Sequence, residues 1–226
     1  LHWFENAMKE RYEITTGGRL GPAPNDDKEA TVLNRVVRWT DRGLEYEADP
    51  WQAEKLIEEM ELAGEGVKGV VTPGVKTTAS QIAGEQVLGA DMHTFFRALA
   101  ARANYLAADR PDNMYAAKEV CRFMSKPIDL AQHALKRLGR YLKRAPRLVY
   151  RFPRHSAERV DVYSDTDWAQ DKITRRSVSS GVLEFGGCIL TDYANSQSVV
   201  GLSSGEVEWY GAVSATATAI LVRGVM

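Results

Sequence analysis

The 226-residue chain predicts a mixed α/β (α+β) fold, and three patterns carry that expectation. β-rich runs flank a Thr40-Asp41-Arg42-Gly43 turn. Three stretches with apolar residues at helical spacing follow between positions 91 and 143. Strand-like segments then lead into a helix that opens at Ser203. The expected architecture is an N-terminal hairpin plus helices, followed by a small mixed sheet carrying one helix.

Each element has its own local reason. Trp3, Phe4, Ala7, Met8 and Tyr12 fall at helical spacing, so residues 2–12 are expected to form an amphipathic helix. Gly17-Gly18 and Gly21–Asp27 are turn chemistry. Thr31–Trp39 and Leu44–Ala48 read as the two arms of the hairpin. Asp49-Pro50 supplies a cap and a first-position proline for a helix whose apolar face is Leu56, Ile57 and Met60. Residues 64–90, rich in Gly, Val and Thr and without periodicity, read as an extended connector on a domain surface. Asp91 is the expected cap of a helix burying Phe95, Phe96, Leu99, Ala103 and Leu106. Asp109-Arg110-Pro111-Asp112 breaks it, and helices are expected over about 113–124 and 130–143, separated by Lys126-Pro127. Residues 147–152 alternate as a short strand or linker, and Val160–Thr166 is a strand. Gly181–Phe185 and Cys188–Tyr193 form a hairpin around Gly186-Gly187. Ser203 and Glu206, three apart, make a capping box for a helix to about Leu221.

Overall charge is −1 and decides nothing by itself, but its distribution is uneven. Acid concentrates between Asp26 and Glu65. From Leu130 to Ala157 there is no acidic residue, while Lys136, Arg137, Arg140, Lys143, Arg144, Arg147, Arg151 and Arg154 accumulate. Such a stripe is an electrostatic footprint for polyanions, although charge alone fits a solvated helix face equally well. Cys121 and Cys188 fit no metal spacing and read as small core residues of a reducing compartment. No apolar run approaches the roughly 20 residues of a spanning helix. His93, His133 and His155 lack convergent partners and read as surface or capping residues. Ser203-Ser204 has no nucleophile elbow around it.

Several longer motifs carry a resemblance. Tyr163-Ser164-Asp165-Thr166-Asp167-Trp168-Ala169, Arg175-Arg176-Ser177 and Leu202-Ser203-Ser204-x-Glu206-x-Glu208-x-Tyr210 resemble the ribonuclease H region of copia-type LTR retrotransposon Pol polyproteins. Tyr105–Asp112, Arg122–Pro127 and Arg140–Lys143 are similar to that family's segment between polymerase and nuclease. The N-terminal hairpin and the Trp51–Leu62 helix resemble the end of its reverse transcriptase palm and the start of its thumb. The resemblance implies four segments: palm end and thumb start at 1–63, a linker at 64–90, a helical connection at 91–145, and a truncated ribonuclease H-like domain at 146–226.

The same resemblance implies the site. The family's first metal-binding Asp falls on Asp165, and its helix-borne Glu falls on Glu208, while Glu206 serves the cap. Mg²⁺ is the implied cofactor, because a pair of these hard cations activates water and neutralises the leaving oxygen in phosphodiester hydrolysis. The family's Tyr-x-Asp-Asp polymerase strand is expected upstream of Leu1, and its later nuclease carboxylates beyond Met226. Asn25-Asp26-Asp27 is an unrelated loop, and Asp192 is in the wrong element to replace the later carboxylates. The implied partners are an RNA–DNA hybrid or other nucleic acid, met by Lys136, Arg137, Arg140, Lys143, Arg144, Arg147, Arg175 and Arg176, and the rest of the polyprotein. No membrane and no small-molecule cofactor is expected. The implied location is cytoplasmic, in a virus-like particle, or nuclear. The expectation is hydrolysis of the RNA strand by the complete enzyme and inactivity of this chain alone. The competing expectation is a non-catalytic nucleic-acid-binding or scaffold remnant.

Overall fold

A computed structural model describes residues 2–15, 17–154 and 159–225. The expected mixed α/β architecture is present, with two antiparallel sheets and a helical layer. His155 and the two chain ends, Leu1 and Met226, lie outside the described residues.

Helix α1 (His2–Lys9) leads to a four-stranded sheet in the order β1 (Glu29–Val32), β2 (Arg35–Thr40), β3 (Gly43–Glu47), β4 (Val149–Pro153). The expected single strand 31–39 is divided in two. Leu33 and Asn34 both adopt left-handed φ, +51° and +65°, so a tight turn folds β1 back onto β2. Residues 147–152, expected as a strand or linker in the C-terminal segment, supply β4, which pairs with β3. Gly43 accommodates this pairing: at φ +140° a methyl there would come within 2.0 Å of the Phe152 carbonyl oxygen.

The helical layer contains α2 (Pro50–Glu59), α3 (Ala79–Ala83), α4 (Ala90–Ala107), α5 (Pro111–Cys121) and α6 (Asp129–Arg144). Asp49 caps α2 as expected, accepting from the Trp51 N–H at 2.9 Å. Asp91 does not cap α4; Gly89 is the N-cap and Asp91 sits inside the first turn, where its charge still complements the helix dipole. Ala131, Leu135, Leu138 and Leu142 recur at helical spacing along α6 and are buried. They meet Leu56 of α2, Phe96, Leu99, Ala103 and Leu106 of α4, and Val120 of α5 in one apolar core. Cys121 packs at its margin, and burial raises its thiol pKa. Cys188 is not a core residue; it is half-buried at the start of β7, its Sγ 3.8 Å from the Arg151 carbonyl.

The second sheet runs β5 (Val160–Asp167), β6 (Val178–Phe185), β7 (Cys188–Ser196). Helix α7 (Ser204–Val225) lies on β5 and β6. Val207, Gly211 and Ala215, spaced four apart, form its buried stripe. A methyl on Gly211 would come within 2.4 Å of Thr166 Oγ1, so glycine allows the helix to approach the strand. Helix α5 packs on β7. Among the described residues, no helix is long and apolar enough to cross a membrane.

Candidate functional site

The position of α7 decides where the two expected metal ligands lie. Thr166 and Ser179 are both buried under Gly211, and their hydroxyls are 3.1 Å apart. Strand β5 is paired with β6 without interruption from Val160 to Asp167, so its side chains alternate between faces. Thr166 therefore faces α7, and Asp165 faces the other way. There it lines a cleft of about 330 Å³ with Tyr163, Ser180 and Asp192, and with Met114 and Tyr115 of α5. Asp167 shares that face; burial, with the charges of Glu119 and Asp167, pushes the Tyr115 hydroxyl up to about 12.

Glu208 stands exposed on α7, on the opposite side of the sheet. Asp165 and the helix that carries Glu208 therefore lie on opposite faces of the sheet. Among the described residues, no group of three or more His, Cys, Asp and Glu is arranged to hold a metal ion.

Glu206 takes the capping role. The Glu206 N–H donates to Ser203 Oγ at 3.2 Å, and the Glu206 carboxylate accepts from the Leu202 N–H at 2.7 Å. That backbone bond, with a second from the Tyr210 hydroxyl, holds the carboxyl below its ordinary range. Trp168 ties the end of β5 to this corner by donating Nε1–H to the Gly201 carbonyl at 3.0 Å. In the loop after β5, Asp171 accepts from Ile173, Thr174 and Arg122. Arg175, at φ +61°, and Arg176 are left exposed there.

The basic stripe is divided between internal and outward work. Arg137 donates to Thr72 Oγ1 at 2.7 Å, Arg140 to the Lys68 carbonyl at 2.7 Å, and Lys143 to the Gly64 carbonyl at 2.6 Å. These three side chains hold the connector against α6. Arg147 pairs with the buried Glu47, which Arg38 also contacts at 2.7 Å. The Arg147 bond, reinforced by Arg38, holds the Glu47 carboxyl down at about 2. Lys136 and Arg144 are exposed on α6. Among the expected histidines, His133 is exposed and His93 is partly buried.

Sequence reasoning missed the lock between helices and sheet. Arg110 is 1% exposed, pairs with Asp112 at 2.7 Å, and donates to the carbonyls of Ala145 and Pro146 just beyond α6. Asp109 receives Arg35 at 2.7 Å and the Tyr46 hydroxyl at 2.7 Å. The Arg110-Pro111-Asp112 motif was visible as a helix break; nothing in it announced the carbonyls it would cap.

No protein-family model matches the sequence, and no solved structure matches it. Curated relatives do. A secreted RxLR effector protein of Plasmopara viticola is 33% identical over 115 residues, 51% of this chain and 81% of the relative. An uncharacterized mitochondrial protein of Arabidopsis thaliana is 37% identical over 123 residues, 54% of this chain and 50% of its own length. The retrovirus-related Pol polyprotein from Arabidopsis thaliana transposon RE1 is 32% identical over 116 residues, 51% of this chain and 8% of the polyprotein. The match thus spans most of the first relative, half of the second and a small part of the third. The chain belongs to one family with the first of these relatives, and its similarity to the transposon Pol polyproteins supports a retrotransposon Pol-derived fragment.

Proposed function

We propose that this Pol-derived chain is a segment of a copia-type reverse transcriptase–ribonuclease H polyprotein. It runs from the palm end and thumb start (1–63) through a linker (64–90) and a helical connection (91–145) into the first part of a ribonuclease H-like domain (146–226). On this reading the chain alone does not cleave RNA. What supports the segment reading is the similarity to the transposon Pol polyproteins; the separate faces of Asp165 and Glu208 count against these two residues sharing a metal by themselves. Two carboxylates alone leave too few ligands for Mg²⁺, which takes several oxygen atoms at about 2.1 Å. In the complete polyprotein, Mg²⁺ would have to be assembled with further ligands.

The test is incubation of the chain with a labelled RNA–DNA hybrid in Mg²⁺. The expected result is no cleavage above buffer. Cleavage that disappears with Asp165→Asn would overturn the reading.

A second reading, a non-catalytic nucleic-acid-binding or scaffold remnant, is favoured by the way Arg137, Arg140 and Lys143 are committed to the connector. Among the residues expected to meet a hybrid, the exposed cations are Lys136, Arg144, Arg175 and Arg176, with Arg147 reaching out from its Glu47 pair. Phosphate contacts of this kind position a duplex without reading its sequence. Reversing Lys136 and Arg144 to Glu should weaken hybrid binding and lower the salt slope by about 0.9 for each phosphate no longer neutralised. An unchanged slope would remove the hybrid from this face and leave the scaffold reading.

A further inference from the structure

The two sheets meet through their edge strands, β4 and β7, and a cleft of about 440 Å³ opens between them beside the turn joining α4 to α5. Its walls are Tyr46 of β3, Tyr150 and Phe152 of β4, Met114 of α5, and Leu190 and Asp192 of β7. The three rings form a continuous aromatic wall: Tyr46 and Tyr150 are tilted with centroids 6.0 Å apart, and Tyr150 and Phe152 are stacked at 6.4 Å.

The charges in this cleft are unequal. Asp109 is matched by Arg35 and by the Tyr46 hydroxyl, and Asp112 by Arg110 and the Tyr141 hydroxyl. Asp192 is half-buried, and among the described residues no cation or side-chain donor meets its carboxylate. The neighbouring cleft, which shares Met114 and Asp192, adds Tyr115, Tyr163 and Asp165 and no basic residue.

We propose that this cleft binds an organic cation, a guanidinium or ammonium group carried on an apolar stem. Aromatic faces attract such a cation, a carboxylate gives it a charge-assisted hydrogen bond, and an apolar wall accepts its stem. The same arrangement repels phosphate, so the cleft around Asp192 is distinct from the basic face of α6, and the proposal does not depend on the nuclease reading. Two sources carry this chemistry: a free amine and a basic peptide side chain. Burial and the nearby Asp112 push the Asp192 carboxyl up to about 6. The groups facing it are Asp112 with Arg110 from the start of α5, Asp109 with Arg35, the Tyr46 and Tyr150 hydroxyls from the first sheet, and, across the neighbouring cleft, Asp165, Tyr163, Tyr193 and Tyr115. Binding should therefore fade as pH falls through that value.

The experiment is calorimetric titration of the whole chain with agmatine, and separately with N-acetyl-Gly-Arg-Gly-amide. Binding is expected with a dissociation constant on the order of 1 mM or below. Asp192→Asn, which preserves shape, should weaken it about tenfold or more, the loss of a charge-assisted bond. The unaltered chain should lose affinity between pH 7.5 and pH 5, a readout that needs no variant. Tighter agmatine supports the free amine as the source; tighter peptide supports the side chain. Absence of binding of both probes to the unaltered chain, or equal binding by a folded Asp192→Asn chain, would overturn the proposal.

Discussion

The helical layer α2–α6 and the helix α7 both carry abundant apolar residues, yet they dispose of them in opposite ways. In the first, Leu56, Phe96, Leu99, Leu135, Leu138 and Leu142 are all at most 1% exposed and share one core. In α7 the buried stripe is Val207, Gly211 and Ala215, and it rests partly on the hydroxyls of Thr166 and Ser179. Trp209, Ile220, Leu221 and Val225 of the same helix are 67–81% exposed. Among the described strands, β5 beneath it has β6 as its only partner. Helix α7 therefore holds its place with little apolar burial, and its amides should open at lower free energy than those of α4 or α6.

Four measurements put this contrast at risk. Arg110→Ala leaves Asp112 and the α6 terminal carbonyls without their buried partner, and should cost about 3–5 kcal/mol in urea unfolding. A near-neutral result would show that the helical layer does not depend on this lock. Leu135→Ala should cost about 2–5 kcal/mol, whereas Ile220→Ala on the outer side of α7 should stay within about 0.5 kcal/mol. Equal losses at the two sites would mean that α7 is covered in solution. Gly211→Ala should cost about 1–3 kcal/mol by pushing α7 off Thr166, with hydrogen exchange accelerated in β5 and α7 and unchanged in α4.

The smallest effect is a pH dependence. The Asp192 carboxyl lies near 6 in the fold against 3.8 for the free group, so its ionisation opposes folding. Asp192→Asn should raise Tm at pH 7.5, and the gain should shrink as pH falls from 6 toward 4, where the native carboxyl is already protonated. A gain that persists unchanged at the low end would mean the effect is not one of charge. Glu47 has the opposite sign: held near 2, it contributes stability above about 4.5 that is lost as pH falls through 2.

Much of the fold was legible from local pattern. Asp49-Pro50, the four-apart apolar residues of α6 and the Ser203/Glu206 box specify their helices through interactions within a few residues. The Leu33-Asn34 turn was not legible, because neither residue is the glycine that usually marks positive φ. Nor was the pairing of β4 with β3, which joins segments separated by the whole helical layer. The basic stripe on α6 was visible as charge, but not that Lys68, Thr72 and Gly64 would occupy three of its donors.

The candidate site divides along the same line. Alone, the sequence determined that Asp165 sits in a strand, that Glu206 caps a helix, and that Glu208 follows it in that helix, one residue past the first turn expected for it, because strand alternation and capping are short-range physics. Only tertiary structure decided which face of the sheet α7 would cover. The close approach of Gly211 to Thr166 made that choice, and with it turned Asp165 away from Glu208 and toward Asp192 and the tyrosines. A side chain's face is inherited from its strand, but what lies over that face is set by packing between elements far apart in the chain.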